Sequence, residues 1–328
     1  MNNEHSLSRR ILLKAGALLT GASLLNLEKA DALSLLPAKT PALTPGEIAA
    51  IEAAIGKKGS YKEAEAVYTI PLPRNDLKVT LKGEPVPISF GFGGWVSIKR
   101  TLDGKSAVLM GDNVLLQEEV NPLISAAQAE GLEVGAIHNH FFYEEPRIFY
   151  MHLHGMGSPE ELAKKYAKAI SETKINPKNQ PPAGPPPAKT GKDIFDVAKL
   201  NEIVKYEAAI NGTTIKYTIG RADLNVTAMG AEMTTNIGLN TWASFTGSMD
   251  NAHIAGDVAM LDHEVNEVIK VFRANNVEVV AVHSHMLGDK PNIKFLHYLG
   301  TGPALDLAKA FRQALDQLGK KNMSGMKM

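Results

Sequence analysis

The sequence GDNVLLQEEVNPL at residues 111–123 returns as GDVAMLDHEVNEV at residues 256–268, which is an offset of 145 residues. The offset holds without a gap from Gly111 to Gly157, so LEVGAIHNH at 132–140 matches VEVVAVHSH at 277–285. A match of this length and regularity does not arise by chance. The chain therefore contains an internal repeat, and histidines occupy the same positions in both copies.

The repeat extends toward the N-terminus in a second block. Arg74 and Asp76 match Arg221 and Asp223, and Trp95 matches Trp242, at an offset of 147 residues. The two offsets differ, so a two-residue gap separates the blocks. We expect one domain-sized unit per copy, because the chain is long enough for two cores. The predicted organisation is residues 1–32 as signal peptide, 33–176 and 193–319 as the two units, 177–192 as a proline-rich linker and 320–328 as a flexible tail.

Hydrophobic periodicity predicts the same order of elements in each unit: several short β-strands, a helix, two strands and a closing helix. Thr44-Pro45 and Ser158-Pro159 are helix-start signals, with a capping residue followed by proline. Residues 118–130 carry the periodicity of an amphipathic helix. The predicted fold class is α+β: two tandem homologous α/β units with mostly antiparallel sheets, each with a histidine-bearing strand pair.

The composition of the chain limits the partners and the kinds of site that it can have. Lysine and arginine together number 35, as do aspartate and glutamate, so the net charge favours neither nucleic acid nor an anionic membrane as a partner. The chain has no cysteine, which excludes disulfides, thiolate zinc sites and thiol nucleophiles. The sequence predicts no oligomeric state.

The N-terminus is typical of an export signal. Residues 8–14 read SRRILLK, a twin-arginine pattern, followed by a short apolar run at 15–27 and by small residues at 30–32. The apolar run is shorter than the roughly 20 residues of a membrane span, so the mature chain is expected to lack an integral span. We therefore predict a periplasmic or secreted protein whose partner is the twin-arginine export machinery.

Seven histidines fall in two short windows of the repeat. Alternation along a strand places His138 and His140 in the same row as the apolar residues Leu132, Val134 and Ala136. If the next strand pairs antiparallel about Pro146, His138 lies opposite His154 and His140 opposite His152. The second copy repeats this pattern with a leucine in place of the last histidine. The predicted metal ligands are His138, His140, His152, His154, His283, His285 and His297.

An all-imidazole set without thiolate favours a divalent transition metal, zinc or copper, over magnesium or calcium. Two alternatives are buried structural histidines bonded to backbone carbonyls and a pH-sensing cluster. Three arrangements remain open. The first unit holds a closed four-histidine site and the second an open three-histidine site; or the second is a degenerate copy; or both His-x-His pairs meet at one interface on a pseudo-two-fold axis.

Other duplicated residues are weaker candidates. Glu119 and Glu264 are expected on helices as solvated carboxylates, with a role beside the metal or as a general base as the alternative. Asp112 and Asp257 follow glycine and are expected to form turns. Trp95 and Trp242 are expected in the core, with a sugar-stacking surface as the alternative. His253 and His263 have no partner in the repeat and are interpreted as structural.

The pattern resembles the LppY/LpqO family of exported bacterial proteins, a domain of uncharacterised function. The segments that carry the resemblance are 74–79 (RNDLKV), 111–122, 132–140 and 145–152 (EPRIFYMH). The second unit departs from it, with Asn292 where the first has Arg147, and with Phe295-Leu296 before the last histidine. The resemblance implies export and a tandem architecture, but no reaction.

Three functions follow from these observations. The first is a periplasmic metal-binding protein without turnover. The second is a metal-dependent hydrolase acting on a cell-envelope substrate, which needs three protein ligands, a position for water and a nearby carboxylate. The third is an envelope carbohydrate-binding module with structural histidines. Saturated ligation would favour the first function, and an open ligand position would favour the second.

Overall fold

The computed structural model describes residues 40–320. The predicted signal peptide at 1–32 and residues 321–328 of the predicted tail lie outside the described residues. Within the described part, no helix combines the length and the apolar character that crossing a membrane requires.

The described residues form seven α-helices and seventeen β-strands. The helices are α1 (Pro45–Ile55), α2 (Gln117–Ala129), α3 (Pro159–Ala169), α4 (Gly191–Ile194), α5 (Val197–Val204), α6 (Asp262–Ala274) and α7 (Ala304–Leu315). The strands of the first repeat are β1 (Ser60–Lys62), β2 (Val67–Pro73), β3 (Val79–Leu81), β4 (Glu84–Val86), β5 (Gly93–Arg100), β6 (Ala107–Leu116), β7 (Glu133–His138), β8 (Glu144–Glu145) and β9 (Ile148–Gly157). Those of the second repeat are β10 (Ala209–Asn211), β11 (Thr214–Gly220), β12 (Val226–Ala228), β13 (Ala231–Met233), β14 (Asn240–Gly247), β15 (Ala252–Met260), β16 (Glu278–His283) and β17 (Lys294–Gly302).

Each repeat builds one six-stranded sheet, and the two sheets have the same topology. The first has the order β1-β2-β5-β6-β9-β7, and the second has β10-β11-β14-β15-β17-β16. Neighbouring strands in both sheets pair antiparallel. The predicted fold class is therefore confirmed: α+β, with antiparallel sheets repeated in tandem.

The helices begin where the capping residues predict. Oγ1 of Thr44 accepts a hydrogen bond from the amide of Glu47, whose carboxylate in turn accepts from the amide of Thr44. This reciprocal pair satisfies two amides of the first turn that have no partner within α1. Ser158 caps α3 with a single bond, because its hydroxyl oxygen accepts a hydrogen bond from the amide of Glu161.

Each sheet buries one face under its own helices and the other face against the opposite repeat. Helices α1, α2 and α3 cover the first sheet, whereas α5, α6 and α7 cover the second. Two further apolar clusters each combine side chains from both repeats; Met110 packs with Phe295 in one, and Tyr150 with Leu299 in the other. The result is a four-layer α/β/β/α arrangement, in which the inner faces of the sheets meet.

A β-bulge changes which way the histidines face. Val134 pairs with Leu153 and Ala136 pairs with His152, so Gly135 is an extra residue on β7. An extra residue reverses the alternation beyond it. Val134 therefore faces the helices with Leu153, whereas His138 faces the other repeat. The second repeat has the same shift between Val279 and Ala281.

The structure corrects two predictions about these strands. The histidines do not continue the row of Leu132 and Val134, because the extra residue turns them to the inner face. The predicted register about Pro146 is also wrong: His138 lies opposite Tyr150, and His154 lies opposite Glu133. The strand pairing itself is antiparallel, as expected.

Candidate metal centre

Six histidines, three from each repeat, meet between the two sheets. The bulges aim the ends of β7 and β16 at each other, and the rings of His138 and His283 stack with centroids 3.7 Å apart. These two residues occupy equivalent positions in the repeat, so their contact lies on the pseudo-two-fold axis.

The contacts around this pair are reciprocal. The ring centroid of His140 lies 3.7 Å from that of His297, and the equivalent pair His285 and His152 is 4.2 Å apart. Each His-x-His pair thus contacts the third histidine of the other repeat. Of the three arrangements left open by the sequence, the structure has the one at a shared interface on the pseudo-two-fold axis.

Three sets of side chains offer nitrogen atoms close enough to hold a metal ion. In each set the nitrogens lie within 4.8 Å of one another, and each set draws on both repeats or on the second alone. Nitrogens that share one ion at about 2.1 Å lie about 3–4 Å apart, so the widest separations must contract by about 1–2 Å. The sets are His138-His140-His297, His138-His152-His283 and His283-His285-His297.

Burial keeps five of these imidazoles neutral, which is the form that binds metal. Burial lowers the pKa of His140 and His152 far below the usual value, and the neighbouring histidines lower it further. Burial also lowers the pKa of His138 and His283, with the same contribution from neighbouring imidazoles. The pKa of His297 falls to about 4, because burial outweighs the nearby Asp257 carboxylate.

The donor set fits a transition metal by a further criterion. Buried imidazole nitrogens normally have hydrogen-bond partners, but within residues 40–320 several in this cluster have none. They include both nitrogens of His283, Nδ1 of His138 and His140, and Nε2 of His152 and His297. His138 and His140 direct their Nε2 atoms at each other at 3.1 Å, about the spacing of two ligands on one ion.

His154 is the one predicted ligand that does not join the six. Its ring is buried beside Gly135, where an added Cβ would lie 2.4 Å from Nε2. Burial lowers its pKa to about 4, although the backbone carbonyl of His285 favours the charged form. The second repeat has Leu299 at the position of His154. Because His154 lies outside the centre, each repeat still contributes three histidines to it.

Asp112 and Asp257 belong to the centre, and the prediction that they form turns is wrong. Each lies in the middle of a long strand, β6 or β15, opposite His152 or His297. Oδ2 of Asp257 lies 3.1 Å from Nε2 of His285, and Oδ1 of Asp112 lies 3.9 Å from Nδ1 of His152. The contact between Asp257 and His285 does not have hydrogen-bonding geometry. Within residues 40–320, both carboxylate oxygens of Asp257 are therefore buried without a hydrogen-bond partner.

The two carboxyl groups titrate in opposite directions. Burial raises the pKa of Asp112 to about 7, and the charge of Asp257 adds to the rise. Burial alone would raise the pKa of Asp257 too, but the imidazoles of His297 and His285 outweigh it and lower the value to about 2. The pair thus shares its charge unevenly, with Asp257 ionised at neutral pH.

A half-enclosed cavity of about 200 Å³ leads from the surface to this centre. His140, His285, Asp112 and Asp257 line its inner end, and the half-buried Trp95 and Trp242 line its walls. The indoles also pack across the repeats. Trp95 lies against Gly238, whose φ of +98° suits glycine, and Trp242 lies against Gly91. The tryptophans therefore both join the sheets and shape the cavity.

Lys216 is a cavity residue that the sequence did not single out. Its Nζ lies 4.3 Å from the ring centroid of Trp242. Burial lowers the pKa of Lys216 to about 8, although Asp112 and Asp257 oppose the shift. The first repeat has Thr69 at the equivalent strand position, so no duplicated signal marked this residue.

The two glutamate candidates have other partners. Glu119 accepts hydrogen bonds from Arg74 at 2.7 Å and from the amide of Leu116 at 2.8 Å. Glu264 accepts from Arg221 at 2.8 Å and from the amide of Leu261. Each carboxylate joins a buried arginine to the first turn of a helix.

The two histidines without a repeat partner lie outside the centre. His253 contacts Thr301 and Glu84. His263 is exposed and contacts the carbonyl of Lys320. Both placements fit a structural interpretation.

Comparison with known proteins identifies one family. No curated protein matches the chain. A trimeric bacterial microcompartment shell protein, PduB, is 12% identical over 80% of this chain and 95% of its own, with a TM-score of 0.20. Crystal form I of TP0453 is 12% identical over 84% of this chain and 99% of its own, with a TM-score of 0.17. Scores this low carry no argument about fold or function.

The family match, in contrast, covers both repeats. It spans residues 49–172 and again residues 198–317, which agrees with the duplicated sheets and helices. The chain belongs to the family described as Domain of Unknown Function (DUF1259).

Proposed function

We propose that this protein binds a divalent transition metal, zinc or copper, at the six-histidine centre shared by its two repeats. The observation that carries the proposal is the convergence of buried imidazoles whose nitrogens lack hydrogen-bond partners. Zinc and copper accept imidazole ligands readily, whereas magnesium and calcium prefer oxygen. His138 and His283 on the axis, with the flanking pairs, are the residues that would hold the ion.

Purely structural histidines account less well for this arrangement. A buried polar group without a partner costs about 1–3 kcal/mol, and a structural role would require that cost at several rings with no gain. A metal ion removes the cost because it takes up the nitrogen lone pairs. Nδ1 of His285 contacts the carbonyl oxygen of Gly238 at 3.2 Å, and Nδ1 of His297 contacts that of Gly256 at 3.1 Å. These contacts support the same view, since metal-bound histidines usually donate their other ring N–H to a carboxylate or carbonyl oxygen.

The test is a titration of chelator-treated protein with Zn²⁺ and with Cu²⁺, in competition with a chromophoric chelator. We expect at least one equivalent of tight binding in the unaltered protein and its loss in the double variant His138→Ala, His283→Ala. The variant His263→Ala removes an exposed histidine outside the centre and should bind as the unaltered chain does. Equal binding by all three proteins would refute the proposal.

A metal-dependent hydrolase is the second candidate, and the cavity favours it over a closed carrier. His140 and His285 line the cavity beside Asp112 and Asp257, so a ligand position and a carboxylate lie together. Such a metal, when bound, would lower the pKa of a bound water. Asp257, ionised and buried, is placed to orient His285, whereas Asp112, with a pKa of about 7, is placed to accept a proton.

This second candidate is tested with zinc-loaded protein and chromogenic ester and phosphoester substrates. Turnover that Asp112→Asn abolishes at unchanged zinc content would support it. Absence of turnover across these substrates would leave binding alone as the function.

Export completes the proposal. The twin-arginine pattern at residues 8–14 supports delivery to the periplasm after folding, and the resemblance to the LppY/LpqO family agrees with that route. Changing Arg9 and Arg10 to lysine should retain the protein in the cytoplasmic fraction. Unchanged periplasmic yield in that variant would contradict the proposal.

A further inference from the structure

Four pairs of residues in the cavity lining are identical between the repeats. His140 matches His285, Asp112 matches Asp257, Trp95 matches Trp242 and Gly91 matches Gly238. Among the acidic and basic residues of the lining, Lys216 has no charged counterpart, because the equivalent position in the first repeat is Thr69. The duplication of the site does not account for this unmatched positive charge. Its chemistry therefore points to something that the cavity receives.

The charged side chains of the cavity differ in their contacts. Asp257 lies 3.1 Å from an imidazole nitrogen of His285 and 3.9 Å from one of His297. Asp112 lies 3.9 Å from His152. Within the described part of the chain the ammonium of Lys216 forms no ion pair, and it lies over the Trp242 ring at 4.3 Å. Asp112 and Asp257 thus lie against the histidines, whereas the N–H donors of Lys216 face the cavity.

A bound divalent ion would change the net charge of the cavity. Its two positive charges offset the two carboxylates, which leaves the charge of Lys216 in excess. The volume of about 200 Å³ is below the roughly 300–1,000 Å³ of pockets that hold drug-sized ligands. The cavity therefore suits a small anion rather than a peptide or a glycan chain.

We infer that the cavity binds a small oxyanion, a carboxylate or a phosphate, between the Lys216 ammonium and the metal centre. The inference rests on the proposed metal binding, since the ion would offset the carboxylates that lie beside Lys216. Carboxylate and phosphate both carry anionic oxygens, which accept hydrogen bonds from a lysine ammonium and also bind transition metals. Trp95 and Trp242 would exclude water from the bound anion on both sides.

The experiment uses the chelator-treated full chain loaded with Co²⁺, whose visible absorption reports changes in its ligands. Sodium acetate and inorganic phosphate are titrated in separate arms, with sodium chloride holding the ionic strength constant. We expect a saturable spectral change with at least one of the two anions, and the arm that responds identifies the class. Lys216→Thr, which restores the residue of the first repeat, should weaken the response roughly ten- to hundredfold. Cobalt content should stay unchanged.

Lys105→Thr is the matched control, because Lys105 lies exposed in the β5–β6 turn. It should respond as the unaltered protein does. If neither anion changes the spectrum, or if Lys216→Thr and the unaltered protein respond alike, the inference is overturned while metal binding stands. If cobalt does not bind at all, the proposed function fails first, and the anion site fails with it.

Discussion

Acid should unfold the metal-free protein, because its buried histidines resist protonation. His138, His140, His152, His283 and His297 all have a pKa lowered by burial and by their neighbours. In the unfolded chain each titrates near 6.5. Above that pH both states are neutral and the histidines have no effect. Below it the unfolded chain binds protons that the folded chain does not, so stability falls as the pH falls.

The size of the loss can be worked out for a step from pH 7.5 to pH 5.5. Each neutral imidazole costs about 1.4 kcal/mol over this range, or about 8 kcal/mol for these five and His154, whose pKa burial also lowers to about 4. Asp112 acts in the opposite direction. Its pKa is raised to about 7, so the folded state takes up a proton before the unfolded state does, which contributes about 2 kcal/mol. The net loss is about 6 kcal/mol, comparable with the whole stability of many domains.

The assay is urea unfolding of the metal-free protein, with a chelator in the buffer, at the two pH values. Circular dichroism monitors the unfolding. The free energy of unfolding should fall steeply toward pH 5.5, and Asp112→Asn should steepen the fall. His263→Ala should leave the slope unchanged, and saturating zinc should raise stability at pH 7.5 through linkage. A stability independent of pH between 7.5 and 5.5 would refute the reasoning.

Three further substitutions test the packing around the centre by thermal unfolding, with metal content measured alongside. Gly135→Ala should destabilise by about 2 kcal/mol, because its Cβ would meet the ring of His154 at 2.4 Å, whereas Gly184→Ala, in open space, should be neutral. Tyr150→Phe removes a hydroxyl that donates to a backbone carbonyl at 2.9 Å; it should cost about 1 kcal/mol and leave metal content unchanged, since the second repeat has phenylalanine there. Arg74→Met leaves two carboxylates without their buried partner and should cost about 3–5 kcal/mol; a loss under 1 kcal/mol would contradict that assignment.

Much of the fold could be predicted from the sequence. A constant offset over both histidine windows predicted the duplication, and apolar periodicity with Thr44 and Ser158 predicted helices that begin where the structure has them. These features depend on neighbours along the chain, which the sequence displays directly. The antiparallel pairing of β7 with β9 follows from the same local signals.

The sequence left the shared centre as one of three possible arrangements, because the centre depends on the β-bulges in β7 and β16. The extra residue that turns the histidines inward is Gly135 in one repeat and lies between Val279 and Ala281 in the other. No common residue type marks it. Alternation without the bulge directs the imidazoles to the helix side, where the two repeats cannot share them.

Asp112 and Asp257 show a different failure. Both follow glycine, which suggested a turn, but the glycines serve close packing within long strands. A Cβ on Gly256 would lie 2.1 Å from the carbonyl oxygen of Trp242 and 2.4 Å from the hydroxyl of Tyr298. The duplication of the aspartates beside duplicated histidines was the signal that could have placed them at the centre.

The most direct measurement is the metal content of two matched double variants, one for each repeat. His138→Ala with His140→Ala leaves the second repeat intact, and His283→Ala with His285→Ala leaves the first intact. If both repeats supply one centre, each variant loses essentially all of the bound zinc or copper, as measured by elemental analysis. Retention of half the metal by each variant would show separate sites in the two repeats. Full retention by either would contradict a single six-histidine centre, because it would assign the metal to the three-histidine set that the variant leaves, which is His283-His285-His297 in the first variant and His138-His140-His297 in the second.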